Sequence, residues 1–279
     1  MNYLKFMALL SILFLAACST ENEDVVEAIE AVAEAEAENT ETEEQGPPYT
    51  EYMTCIPGDD FDDATVAAMI DEWNDFEFAE GFWASAGHAP VQSVSLGGEN
   101  VVYWQLFWTT KEAAEAGWAD WANNAEADAW RTKHASVMQC DSQGRRAYDF
   151  YWPLGEDANW NGPPQWVTYG HYCKFNDEDG LELLRAAVTA FNEFTLAADN
   201  PEPFAYGVMM HNGDNPEPFS NYDFFWQNYY ENHADAETSY ARFNENGSEI
   251  QAMFDASATC EGPNASDSYL FYPDPDDQV

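Results

Sequence analysis

The sequence predicts an α+β fold of two tandem βαββαβ units, packed sheet to sheet within one chain. Three observations predict it. Segments recur in unchanged order: Trp104-Gln105 and Trp118, Trp121 and Asn124 meet Trp226-Gln227, Tyr240, Phe243 and Asn246 at a shift of 122. Cys55 and Trp73-Asn74 meet Cys173 and Phe191-Asn192 at 118, and Cys140 meets Cys260 at 120. Each copy also runs through the same succession of strand-like and helix-like patterns. The strand 101–108 is apolar on both faces, with Tyr103, Gln105 and Phe107 alternating with Val102, Trp104, Leu106 and Trp108, so both faces need covering.

Taken from the start, residues 6–17 form a twelve-residue apolar run behind Lys5, too short to span a bilayer and suited to a signal peptide over 1–17. It ends in Leu15-Ala16-Ala17-Cys18, which resembles the bacterial lipobox and implies lipidation of Cys18. Ser19 stands where retention at an inner membrane calls for Asp. The expected location is therefore the cell envelope, and the outer membrane in a Gram-negative cell, with the lipid anchor as the sole membrane contact. Residues 18–48 hold eleven acids, no basic residue and no aromatic, the composition of a solvated tether.

The first unit is expected over 49–153. Residues 50–55 read as a strand and 62–76 as a helix with apolar spacing at Ala64, Ala67, Ile70 and Trp73. Residues 91–96 alternate as a second strand, a turn follows at 97–100, and 101–108 is the third strand. Residues 111–138 are helical with a break near Asn123-Asn124, and 146–152 is the last strand. A linker rich in Gly, Pro, Asn and Asp covers 154–164, the second unit 165–273, and an acidic tail 274–279. Such a unit forms a sheet of order 4-1-3-2 with both helices on one face. The fourth strand then lies antiparallel beside the first. Of the three pairings open to four exported cysteines, this order favours Cys55–Cys140 and Cys173–Cys260.

At this level the element order and duplication resemble the dimeric α/β-barrel superfamily of ferredoxin-like units, which includes antibiotic-synthesis monooxygenases. The resemblance implies that both halves of the barrel lie in one chain.

Composition bounds the function. With 52 Asp+Glu against 9 Lys+Arg the net charge is −43, which excludes a nucleic-acid partner. No phosphate-binding glycine loop, serine elbow or zinc-protease helix is present, and no cofactor is expected. The 16% aromatic content points instead to an apolar or aromatic small molecule held between the sheets by Tyr103, Gln105, Phe107, Phe225, Gln227, Tyr229 and Tyr169. The main expectation is a surface-tethered, non-enzymatic binding lipoprotein. One alternative is a structural or interaction lipoprotein with a protein partner and no ligand. The other, implied by the resemblance, is a cofactor-independent oxygenase or isomerase with His171 as base and Gln105 or Gln227 positioning substrate. The hexapeptide Asp-Asn-Pro-Glu-Pro-Phe recurs at Asp199 and Asp214, as strand punctuation or as a set of carboxylates for Ca²⁺.

Overall fold

The computed structural model describes residues 46–92, 94–196 and 202–273. The signal, Cys18, almost all of the tether, Asp199 and the acidic tail lie outside the described residues. Eleven strands occur in the order β1 (Tyr49–Pro57), β2 (Phe82–Pro90), β3 (Val94–Ser95), β4 (Gly98–Glu99), β5 (Val102–Trp108), β6 (Met138–Cys140), β7 (Arg146–Tyr151), β8 (Gln165–Phe175), β9 (Phe204–His211), β10 (Phe224–Tyr230) and β11 (Ala258–Tyr272). The six described α-helices are α1 (Asp63–Asn74), α2 (Lys111–Asn123), α3 (Ala125–Lys133), α4 (Gly180–Thr195), α5 (His233–Asn246) and α6 (Ser248–Ser257).

Eight strands close into an antiparallel barrel, β5-β2-β11-β8-β10-β9-β7-β1 and back to β5, while β6 extends the edge beside β1. Within the first half the order is β7-β1-β5-β2, and within the second it is β11-β8-β10-β9. The halves are not stacked as separate sheets. Their edges are hydrogen-bonded, β2 to β11 and β7 to β9, so one continuous sheet curls on itself and exposes no long edge.

Local chemistry sets the element ends. Asp62 and Thr65 form a capping box on α1, and Thr110 and Asn232 cap α2 and α5. The break expected near Asn124 is where α2 stops, because the Asn124 side chain accepts from the Glu126 and Ala127 amides and starts α3. The second strand differs from expectation: it is Phe82–Pro90, not 91–96. Its small residues Ala84, Ser85, Ala86 and Gly87 give little hydrophobic alternation, and the stretch after it folds into the short hairpin β3–β4.

Alternation along the strands divides the core into three. Under the helices of the first half lie Trp73, Phe82, Trp104, Leu106 and Trp108. Under those of the second lie Leu184, Phe204, Tyr206, Trp226 and Tyr230. The barrel interior holds Tyr52, Tyr103, Tyr148, Phe150, Tyr172, Met209 and Phe225. Two interior glycines make room for these rings: a Cβ at Gly170 would meet Phe225 at 2.5 Å, and one at Gly207 would meet Phe150 at 2.6 Å. Disulfide Cys55–Cys140 joins β1 to β6, the short strand that precedes β7, and Cys173–Cys260 joins β8 to β11, the pairings that the sheet order favours.

Candidate functional site: a sheet–helix cavity

The structure separates the residues singled out in the sequence. Tyr103, Gln105 and Phe107 share the inner phase of β5, and Phe225, Gln227 and Tyr229 that of β10. Their amides are taken up by the protein. Gln105 Nε2 donates to Thr50 Oγ1 at 3.0 Å, and its Oε1 lies 2.9 Å from His88 Nε2. His88 Nδ1 is 2.9 Å from Ser268 Oγ. Burial pulls the His88 pKa down to about 4, so the ring is neutral and donates through Nε2 to the Gln105 oxygen. Gln227 Oε1 accepts from Tyr52 OH at 2.8 Å and Tyr229 OH at 3.1 Å.

Tyr169 and His171 are on the other side of the sheet. His171 pairs with Trp226, and Tyr169 with Asn228, both in the outward phase under α5. His171 Nε2 meets Tyr240 OH of that helix at 3.1 Å, and the same hydroxyl accepts from Asn228 Nδ2 at 3.1 Å. Burial holds His171 neutral, with its pKa lowered to about 4. A wall of sheet therefore separates His171 from Gln105 and Gln227, and the three cannot serve one substrate. The odd and even positions of a strand point to opposite faces, and Tyr169 and His171 have the odd phase in a strand whose inward residues are Thr168, Gly170 and Tyr172.

Two cavities lie on the outer face, between sheet and helices. One in the second half, of about 190 Å³, is lined by His171, Phe191, Trp226, Asn228, Tyr240 and Phe243. The other, in the first half, is a half-open cavity of about 1280 Å³. Its walls are Trp73, Phe76, Phe82, Trp104, Trp108, Trp118, Trp121 and Trp130. Around it stand the exposed carboxylates Asp75, Glu77, Glu80, Asp120 and Glu126.

Two polar features border this cavity. The Trp108 Nε1–H is buried with no partner among the described residues. His134 Nε2 lies 2.9 Å from Glu72 Oε2, and Lys133 Nζ grips the same carboxylate at 2.6 and 2.7 Å. Hydrogen bonds from Lys133 and then His134 hold the Glu72 carboxyl below its ordinary pKa, so it stays ionised. An ionised Glu72 accepts from Nε2 of His134 and so orients the ring. The sequence reading missed both features. Trp108 is legible only as part of the apolar phase of its strand, whereas His134 and Glu72 are 62 positions apart and only the packing of α1 against α3 joins them. Among the described residues no cluster of His, Cys, Asp or Glu is arranged to hold a metal ion. The second hexapeptide instead docks Asn215 on β7, its Oδ1 accepting from the Ala147 amide at 2.7 Å.

No family model and no curated protein matches the chain. Solved structures do. A "putative monooxygenase" from Lactobacillus acidophilus superposes with a TM-score of 0.50 at 11% identity, covering 81% of this chain and 94% of that one. Another protein so described, from Fusobacterium nucleatum, gives a TM-score of 0.51 at 8% identity over 81% and 93%. An anthrone oxidase-like protein gives 0.49 at 12% identity over 82% and 92%. At such identities the likeness establishes the fold, that of the dimeric α/β barrels. The expectation of a non-enzymatic binding protein is corrected by these neighbours, which are described as enzymes.

Proposed function

We propose that the chain is a tandem of two ferredoxin-like repeats acting as a cofactor-independent oxygenase on a neutral aromatic substrate. The observation that carries this reading is the 1280 Å³ cavity of the first half, walled by tryptophans and bordered by a histidine–carboxylate pair. Such a volume takes a polycyclic ring system, and aromatic walls favour flat faces. The ring of carboxylates at its edge repels anions, so the substrate enters neutral and is ionised inside.

Oxygen chemistry without a cofactor needs a substrate whose anion gives electrons directly to dioxygen. His134 Nδ1 removes the proton from an activated CH₂ beside a phenol, and the resulting imidazolium is stabilised by Glu72. Trp108 Nε1–H supplies a donor to the oxygen on which charge develops. The carbanion then forms a C–O bond with O₂, the O–O bond breaks as the second hydrogen leaves carbon, and the products are a ketone and one water. The second-half cavity is smaller, and its histidine is engaged by Tyr240.

The lipobox at Cys18 and the acidic tether support a chain exported and held to the cell envelope by lipid. The test uses the full chain with 1,8-dihydroxyanthrone, following oxygen uptake and quinone absorbance together. Wild type should exceed the buffer rate, and His134→Ala should lower kcat by about 10²-fold or more. Rates equal to buffer, or a His134→Ala rate equal to wild type, would refute the proposal.

A further inference from the structure

Arg146 opens β7 on the inner face of the barrel, opposite Tyr52, and is only 2% exposed. Its Nη1 donates to Tyr172 OH at 2.9 Å. The rings of Phe219, Tyr103 and Tyr52 lie 4.1, 4.7 and 5.1 Å from Cζ. Burial raises the Tyr172 pKa to about 12 and pushes those of Tyr52 and Tyr148 well above the ordinary phenol value, so these hydroxyls carry no negative charge. Among the described residues no carboxylate forms an ion pair with Arg146. In a chain of net charge −43, a guanidinium is thus enclosed without a counterion. Ring faces offset only part of the cost of taking it out of water.

The free donors have a shape. Among the described residues Nε and Nη2 of Arg146 have no partner, and these two nitrogens form one edge of the guanidinium, with parallel N–H bonds. That edge matches the two oxygens of a planar oxyanion. Tyr148, the next inward residue of β7, is fully buried with its hydroxyl unpaired. His211, directly across from Tyr148 on β9, leaves Nε2 unpaired.

We propose that the barrel interior is an anion site in which a carboxylate, or another planar monovalent oxyanion, binds the Nε and Nη2 edge of Arg146 with the Tyr148 hydroxyl as a further donor. Phe219, on the short turn Phe219–Asn221, lies over the guanidinium and limits access, so the anion is small or enters carboxylate first. This site is on the opposite side of the sheet from the proposed catalytic cavity and does not depend on it.

The test compares thermal unfolding of the full chain in sodium formate, nitrate, benzoate and chloride at one ionic strength. Formate and nitrate should raise Tm along a saturating curve, by about 3–6 °C once the ion reaches about ten times its Kd. Arg146→Lys keeps the charge but loses the fork, and its Tm should be the same in all four salts. Tyr148→Phe should weaken formate binding several-fold. Benzoate acting at lower concentration than formate identifies the carboxylate of a larger molecule, and formate or nitrate alone identifies a free small ion. A wild-type Tm equal in all salts, or an equal response to chloride, would overturn the assignment. Should the Arg146 variants fail to fold, a crystal of the wild type grown in formate decides: planar density against Nε and Nη2 supports the site, and water alone there overturns it.

Discussion

Acid should destabilise this protein through His88, although most of its titrating groups are carboxylates whose protonation relieves repulsion. His88 is 3% exposed inside the barrel, and its environment lowers the pKa from 6.5 to about 4. Burial is the main cause, opposed by the hydrogen bond to Gln105 and aided by the charge of Arg146. Between these two pKa values the unfolded chain holds a proton that the folded chain does not, so stability rises with pH across the window and falls as pH drops through it. The full difference is on the order of 3 kcal/mol, and about 2 kcal/mol of it is lost between pH 7 and pH 5. Urea unfolding of wild type and His88→Gln at both pH values isolates this amount, because the carboxylates are common to the two chains. Wild type should lose about 2 kcal/mol more than the variant between pH 7 and pH 5. Parallel pH profiles would show that the buried imidazole is not held neutral, and the argument would fail.

Gln105→Leu keeps the shape but leaves the His88 Nε2–H and Thr50 Oγ1 without their partner. It should cost about 2–4 kcal/mol in urea unfolding. Replacing Cys55 and Cys140 together by Ser opens a loop with a sequence separation of 85. The expected loss is about 4 kcal/mol, measured against wild type under oxidising conditions and absent when both are compared in reductant. Tyr240→Phe removes the hydroxyl shared by His171 and Asn228 and should lower stability by about 1–3 kcal/mol in the same assay.

What was legible in the sequence is what strong periodicity and repetition encode. β5 and β10 and the helices behind them are 122 residues apart, and the paired aromatics and glutamines announce them. β2 escaped because its inward residues Ala84 and Ala86 are small, chosen for the space that Gln105 and Phe107 need across the ladder. Face assignment worked where one phase was uniformly apolar, as with Val102, Trp104, Leu106 and Trp108 in β5. It failed in β8, where Tyr169 and His171 alternate with Gly170 and Tyr172 and both phases mix small, polar and aromatic groups. Arg146 could have been read from its strand: in RAYDFY it shares the inward phase with Tyr148 and Phe150, an unusual place for a charge. The Glu72–His134 pair left no local mark at all, since it arises from the packing of two helices.

The two halves place different chemistry at the same register. Met53 faces Trp104 in the first half where His171 faces Trp226 in the second. In the second half Tyr240 bonds to His171 and Asn228, which stitches α5 to the sheet and leaves about 190 Å³. The corresponding Trp118 of α2 cannot make such a bridge, because Met53 and Leu106 offer it no polar group. Its indole donates instead to Glu51, which Arg145 also binds, with the guanidinium 4.0 Å from the indole ring. The helix of the first half is thus fastened at one end of the sheet, and the space between it and Trp104 stays open at about 1280 Å³. Polar groups that bridge helix and sheet at this register in one half, and apolar groups at the same register in the other, accompany a small cavity on one side and a large one on the other. That division is why the proposed catalytic site lies in the first half, although the histidine that drew attention in the sequence lies in the second.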